Sequence, residues 1–354
     1  MPRYRLYSAT ENVVDAALRR LRHIYETFDH VIVGYSGGKD SHVMLHLARI
    51  VADEFGIDRV SVRYRDREIV QDCILDFVDE VRQLPWVDMR WYCIPGEDTR
   101  LVLGETRTYT FWQPGVEWFR PMPPFAITPP EGSTKVYTPA ETDEFVAAPF
   151  KGKVCLLLGI RAAESILRYR SIVNKLNDPH IASTGTRSRI SIGRPIYDWS
   201  EADVFKFLQD GDIPYCSIYD AQLLSGEPLR TSVPVSSEAA KQLKRMAAQD
   251  PAFLERLQRR FPGTDLQTRY WHEFDRGAVF SKYMPHGLDG VRQWIVDHLS
   301  GAVAEDALAV FESVRRLAIN RPNGYPPEHV LKEFLNGGWR RGAIVALSEK
   351  ETRK

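Results

Sequence analysis

Along this chain the apolar positions alternate between two spacings, and the changes outline helices separated by short buried strands. Val14, Leu18, Leu21 and Tyr25 recur at four- and three-residue intervals, which predicts a helix capped by Thr10 and ending near Phe28. Val31 to Val33 is β-branched throughout and suits a buried parallel strand. Helical spacing returns from Ser41 to Val51 through Val43, Leu45, Leu47 and Ile50. A strand over Val60 to Tyr64, a helix over Asp72 to Gln83 and a strand over Met89 to Ile94 follow. Such alternation predicts an α/β fold with a parallel sheet and right-handed crossovers.

Between Pro95 and Pro149 both periods dissolve into proline, threonine and aromatic residues, including Trp112, Trp118 and Arg120-Pro121-Met122-Pro123-Pro124. Insertions of this length are usually functional or disordered, and the density of Trp and Phe argues against disorder. Two readings stand side by side: a lid or partner surface, and a loop packed on the sheet. Val154 to Leu158 then predicts a buried strand, Ala162 to about Leu176 a helix, and Ile190 to Ile196 a short strand. Ser200 is placed to cap a helix over Asp203 to Leu208. From Ser236 onward the pattern is helical, with Asp250 and Pro251 opening one helix and others expected over Leu288 to Leu299, Glu305 to Leu317 and Glu328 to Leu335. The expected organisation is an N-terminal helix over 1–30 packed on the core, a sheet domain over 31–220 with an insertion at about 95–150, and a helical region over 221–354. Ser348 to Lys354 reads as a frayed tail.

The first strand and its helix are joined by Ser36-Gly37-Gly38-Lys39-Asp40-Ser41. In a strand–turn–helix setting the N–H groups of Gly37, Gly38 and the first helical turn converge with the positive end of the helix dipole, and Lys39 adds a formal charge. The segment reads as a phosphate cradle. Its spacing fits neither the Walker loop nor the dinucleotide fingerprint Gly-x-Gly-x-x-Gly. A second constellation follows the strand at 154–158: Leu158-Gly159-Ile160-Arg161-Ala162-Ala163-Glu164-Ser165, and downstream Arg194-Pro195-Ile196-Tyr197-Asp198-Trp199 with Asp203-Val204.

Ser-Gly-Gly-Lys-Asp-Ser resembles the PP-loop of the adenine nucleotide α-hydrolase superfamily, whose members split ATP between its α and β phosphates. The two later motifs resemble those of the phosphoadenylylsulfate reductase family within it, over roughly residues 10–220. The insertion and helical C-terminal third look most like a branch of that family found on mobile elements beside ParB-like nuclease proteins. This resemblance implies a parallel-sheet PP-loop fold, with ATP across the end of the first strand and its phosphates held by Ser36, Gly37, Gly38, Lys39 and Ser41. It further implies that Gly159 and Arg161 line the nucleotide site, that Asp66 occupies the place of a family acidic residue, and that Lys39, Asp40 and Arg161 carry the reaction. Asp40 would fix the loop or a hydrated magnesium ion, because polyphosphate keeps negative charge that a hard cation relieves.

Lys and Arg together number 47, as do Asp and Glu, so the whole chain gives no sign of a dedicated polyanion binder. Residues 161–194 depart from that balance with seven basic residues, Arg161, Arg168, Arg170, Lys175, Arg187, Arg189 and Arg194, against Glu164 and Asp178. Arginine forks suit phosphate or sulfate oxygens. Arg168, Arg170, Arg194 and Asp198 are accordingly candidates for an anionic substrate, with Asp198 split between that role and a helix-entry role. The four cysteines, Cys73, Cys93, Cys155 and Cys216, form no Cys-x-x-Cys pair, so no local zinc or iron–sulfur site is signalled. Cys93 and Cys155 read as buried reduced thiols. No stretch reaches the length of a membrane span and the N-terminus has no long apolar region, so a soluble, cytoplasmic protein is expected.

Assimilatory reductases of the family use a cysteine in a C-terminal Glu-Cys-Gly-type segment, and no cysteine follows Cys216. Thiolating relatives commonly carry paired cysteines, which the spacing does not offer, so Cys216 reads as a lone loop cysteine. The leading expectation is an ATP pyrophosphatase that adenylylates an anionic or nucleic-acid acceptor, in a sulfur-insertion system acting on DNA with a ParB-like or sulfur-transfer partner. A phosphoadenylylsulfate-metabolising enzyme and a nucleotide-gated regulator binding a partner or DNA are the alternatives.

Overall fold

The computed structural model describes residues 11–102, 105–173, 180–184, 188–226, 229–231, 233–236, 243, 246, 250–264 and 276–347. Thr10, Lys175, Leu176, Arg187 and the tail from Ser348 lie outside them, as do most of residues 237–249 and all of 265–275. The chain divides into two compact units, one formed by Met1–Asp98 and Thr110–Val233, the other by Thr99–Tyr109 and Pro234–Lys354.

The first unit is built on a six-stranded sheet. Strands β1 (His30–Tyr35), β2 (Val60–Arg65) and β3 (Val87–Tyr92) run parallel, with Val33 opposite Val62 and Val62 opposite Met89. Two strands lie within the insertion, β4 (Gly96–Val102) and β5 (Glu105–Phe111), and pair with each other outside this sheet. On the other side of β1 stand β6 (Val154–Leu158), with Ile32 opposite Leu156, then β8 (Ile190–Gly193) and an antiparallel edge strand β7 (Ile181–Ser183). The order is therefore β3-β2-β1-β6-β8-β7. Ile32, Val33, Val62, Leu156 and Leu157 are buried because helices cover both faces, as the unbroken apolar runs of β1 and β6 require.

Helix α1 (Val13–Thr27) is capped by Asn12, whose Oδ1 accepts from the N–H groups of Val14 and Asp15 at 2.9 Å. The helix thus begins two residues beyond the expected Thr10. Helix α2 (Lys39–Glu54) leaves β1 through the glycine turn, and α3 (Asp72–Arg82) links β2 to β3. The insertion adds α4 (Pro139–Ala147), opened by a Thr138–Glu141 capping box. Beyond β6 the expected single helix is broken at Ser165: a 3-10 turn over Ala162–Glu164 precedes α5 (Ile166–Val173). Helix α6 (Glu201–Asp210) starts with a Ser200–Asp203 capping box, and α7 (Ile218–Leu224) completes the unit.

Outside Thr99–Tyr109, the insertion packs on the sheet. Phe111, Trp112 and Phe119 are buried, and Ile127 extends the sheet edge beside β3, donating from its N–H to the Trp91 carbonyl at 2.7 Å and accepting from the Cys93 N–H at 3.0 Å.

In the second unit, helices α8 (Pro251–Arg260), α9 (Arg276–Tyr283), α10 (Gly287–His298), α11 (Gly301–Asn320) and α12 (Pro327–Leu335) follow in order. Val291, Ile295, Phe311, Val314, Leu331 and Phe334 form its core. Among the described residues, no helix is long and apolar enough to cross a membrane.

Candidate active site

Strand order reverses between β1 and β6, because β2 and β3 lie to one side of β1 and β6 to the other. The crevice at the carboxyl ends of two such strands is where open α/β sheets receive ligands. Both sequence motifs arrive there, Ser36–Ser41 from β1 and Gly159–Arg161 from β6.

The loop is closed on itself by its two serines. Ser41 Oγ donates to the Gly38 carbonyl at 2.9 Å and accepts from the Ser36 N–H at 3.1 Å, with Ser36 Oγ 3.0 Å away. Gly37 has φ of +74°, a left-handed conformation, and a Cβ there would fall 2.7 Å from Ile74 and 2.9 Å from Val78 on α3. Gly159 is required for a different reason. A Cβ there would stand 2.7 Å from the backbone carbonyl of Asp40 and 2.8 Å from Ser41 N, so the exit of β6 touches the first turn of α2 directly.

Charge is concentrated around that contact. Arg161, only 4% exposed, donates from Nε to Asp40 Oδ1 at 2.5 Å, and its own N–H donates to Glu164 Oε2 at 3.1 Å. Lys39 is 3% exposed, and its Nζ donates to the Leu229 carbonyl at 2.5 Å with Glu201 Oε2 at 3.3 Å and Asp40 Oδ2 at 3.9 Å. The rings of Tyr219 and Phe205 flank the ammonium at 5.0 and 5.8 Å. Protein groups also cover the cradle itself. The Lys39 N–H donates to the Tyr219 hydroxyl at 2.8 Å, and a Cβ on Gly38 would meet Thr231 Oγ1 at 2.7 Å. A phosphate entering the loop therefore has to displace the 219–231 segment.

Residues 149–246 match the model of the phosphoadenosine phosphosulfate reductase domain. The match takes in Gly159, Arg161, Arg194 and Tyr219 and begins downstream of Ser36–Ser41. A curated relative, the uncharacterized protein YbdN of Escherichia coli (strain K12), is 30% identical over 235 residues, 62% of this chain and 57% of the relative. The chain thus spans less than two thirds of that relative's length. Among solved structures, the FMN adenylyltransferase of Candida glabrata in complex with FAD and inorganic pyrophosphate aligns with a TM-score of 0.39 at 15% identity, covering 60% of this chain and 64% of that one. The phosphoadenylyl-sulfate reductase of Candida auris aligns at 0.34 and 16%, covering 58% and 84%. The U34-tRNA thiolase NcsA of Methanococcus maripaludis, with its 4Fe–4S cluster, aligns at 0.35 and 12%, covering 75% and 80%. Over residues 149–246, then, the chain is similar to a phosphoadenosine phosphosulfate reductase domain.

Within the first unit, several residues singled out in the sequence have partners of their own. Asp66 is fully buried, and both carboxylate oxygens accept from Arg120 Nη2 at 2.6 Å while Oδ2 also accepts from Trp91 Nε1 at 2.8 Å. With those partners it anchors the insertion to β3. Asp198 is buried against Arg20, which donates from Nη1 and Nη2 to its two oxygens at 2.7 Å and stacks 4.2 Å over Tyr197. This fork joins α1 to the entry of α6. Arg168 forms an ion pair with Glu164 on the surface of α5. Arg170 lies in the last turn of the same helix. Arg194 donates from Nη1 to Ser171 Oγ at 3.2 Å, and burial lowers its pKa.

Asp40 is held by Arg161 through Oδ1, while its Oδ2 stands 3.9 Å from Lys39 Nζ. Among the described residues, no group of three or more His, Cys, Asp or Glu side chains is placed to hold a metal ion.

Five residues at the site escaped the sequence motifs: Glu201, Tyr219, Leu229, Arg230 and Thr231. Arg230 Nη2 donates to the Glu164 carbonyl at 3.3 Å, adding a guanidinium beside Arg161 and Arg168. The turn-forming run Ser225-Gly226-Glu227-Pro228 announces a chain reversal just before Leu229, but nothing in its spacing says that the returning chain crosses Gly38.

Proposed function

We propose that this protein is an ATP pyrophosphatase that cleaves between the α and β phosphates and adenylylates an anionic acceptor. The observation that carries the reading is the convergence of the Ser36–Ser41 cradle and Arg161 at one switch point, in contact through Gly159 and Asp40. ATP enters with magnesium as part of the substrate. Its β and γ phosphates take the N–H groups of Gly38 and Lys39 and the Lys39 ammonium, displacing the Tyr219 hydroxyl and the Leu229 carbonyl. Arg161 turns from Asp40 to the α-phosphate. An acceptor oxyanion attacks the α-phosphorus, the bond from that phosphorus to the bridging oxygen breaks, and pyrophosphate departs with the electron pair; a second nucleophile, water in its simplest form, then attacks the adenylylated acceptor and AMP leaves with the electrons of the bond broken. Arg168, Arg194 and Arg230 present the positive face for the acceptor, and we place the reaction in sulfur modification of DNA beside a ParB-like or sulfur-transfer partner.

Incubation with α-labelled ATP and magnesium, with and without DNA, tests the reading. AMP is the expected labelled product, and Lys39→Ala or Arg161→Ala lowers its formation by about 10²- to 10³-fold, the usual effect of removing one transition-state donor. Labelled ADP in place of AMP overturns α–β cleavage. The covered cradle favours a second reading, a nucleotide-gated regulator, which predicts ATP binding that shifts the 219–231 segment without any AMP.

A further inference from the structure

Cys73 and Cys216, 143 positions apart, are neighbours in the fold. Cys216 Sγ donates to the Cys73 carbonyl oxygen at 3.5 Å, which brings the two cysteines side by side. Cys216 is therefore not the lone loop cysteine that its sequence position suggests. The two are chemically unequal. Cys73 is exposed in the first turn of α3, whereas Cys216 is 1% exposed ahead of α7. The neighbouring Cys216 thiol and the Ile74 N–H lower the pKa of Cys73, while the neighbouring Cys73 and burial raise that of Cys216.

Both cysteines stand next to residues that wall the phosphate loop. Ile74, adjacent to Cys73, is the side chain a Cβ on Gly37 would strike. Tyr219, three residues beyond Cys216 and bonded through its N–H to the Cys216 carbonyl at 3.3 Å, occupies the Lys39 N–H. A bond between the two sulfurs would thus fasten α3, on one side of the loop, to the segment that covers it from the other.

We propose that Cys73 and Cys216 form a reversible disulfide that locks Tyr219 and its segment over the phosphate loop, making nucleotide access depend on thiol redox state. The oxidant is a low-molecular-weight disulfide. The Cys73 thiolate attacks one of its sulfurs, forming a mixed disulfide and expelling one thiolate. Cys216 then loses its proton and attacks Cys73 Sγ, giving the internal disulfide and a second small thiol. The protein loses two electrons and two protons, and the oxidant gains them. A small dithiol reverses the exchange. The effect on nucleotide affinity rests on the reading of Ser36–Ser41 as a nucleotide cradle, whereas the disulfide and the lock do not.

The experiment treats the full chain with oxidised glutathione and reads three quantities: the linked peptide under non-reducing digestion, hydrogen exchange over residues 36–41 and 216–226, and ATP affinity. A Cys73–Cys216 peptide is expected, and Cys216→Ser is expected to stop at the glutathione adduct on Cys73. Exchange slows in both segments on oxidation. ATP binding weakens by about tenfold, within the usual range of coupling between linked sites, and recovers with dithiothreitol. Cys73→Ser removes all three responses to oxidant while keeping the affinity of the reduced protein. Failure to form the linked peptide overturns the disulfide, and a linked protein with unchanged exchange overturns the lock. Slowed exchange in a protein that binds no ATP even when reduced supports the lock and refutes the nucleotide reading instead.

Discussion

Buried charge in the first unit is paired across long stretches of sequence. Arg20 satisfies both oxygens of Asp198 and also donates to the Pro195 carbonyl at 2.8 Å and the Tyr197 hydroxyl at 3.1 Å. Truncating one partner leaves the other ion buried without a counter-charge, which typically costs about 3–5 kcal/mol. Asp198→Ala is accordingly expected to lower unfolding free energy by about that amount in a urea titration. A loss under about 1 kcal/mol, the worth of an exposed pair, would mean that Asp198 is not the α1–α6 anchor. Asp198 stood out in the sequence because it sits in a motif, yet its role was not legible there. The deciding partner is 178 residues away, and local pattern carries no information about that distance. Asp66 makes the same point with Arg120, 54 residues downstream inside an insertion that has no periodicity. The cradle glycines are the opposite case. The need for φ of +74° at Gly37 and for close approach at Gly159 is a backbone requirement, and such requirements leave glycine in the sequence.

Helix α2 is the element that carries the cradle, and its buried face contains two histidines. His42 is 2% exposed, its Nδ1 lies 3.0 Å from the Tyr35 hydroxyl, and its ring meets those of His46 at 4.7 Å and Phe77 at 5.0 Å. Burial first, then the neighbouring His46, pushes the His42 pKa down to about 3, and burial pushes His46 down to about 4, both from an ordinary value of 6.5. The folded state therefore binds fewer protons than the unfolded chain over this interval. The stability held by the neutral rings is complete above pH 6.5 and is lost as the pH falls toward 4 and then 3. Urea midpoints are expected to fall between pH 6.5 and 5, with a shallower fall in the His42→Gln/His46→Gln double variant; equal slopes would refute titration in α2. Elements with strong period were the legible ones: β1, α2, β2, β6 and α12 all lie where apolar spacing puts them. The strands β4 and β5 were missed because Glu-Asp-Thr-Arg and Thr-Arg-Thr-Tyr-Thr are mostly polar runs, and the buried Leu101, Tyr109 and Phe111 are too few to mark an apolar face. Helix α5 was drawn too long because Ser165, at the break after the 3-10 turn, does not disturb the helical spacing of its neighbours.

At the scale of the whole molecule, the chain joins two units with separate cores, and sequence composition does not mark the seam. Residues 99–109 belong to the second unit although they fall between β3 and β6, and the first unit runs on to Val233. An expected boundary at 220 would cut between Tyr219 and the Leu229–Thr231 stretch, both of which touch the loop. The second unit's core is anchored by Phe311, which is fully buried with its ring 6.5 Å from that of Phe334. Phe311→Ala removes most of that packing, a change that costs about 3–5 kcal/mol in a well-filled core. Because among the described residues no first-unit residue belongs to that cluster, the loss is expected to stay within the second unit. Hydrogen exchange resolved by segment checks this. Amides of α10, α11 and α12 should exchange faster in the variant, while those of β1, β2 and β6 keep their rates and ATP affinity is unchanged. An equal rise in the central strands would show that the two units unfold as one and that the helical region also supports the cradle.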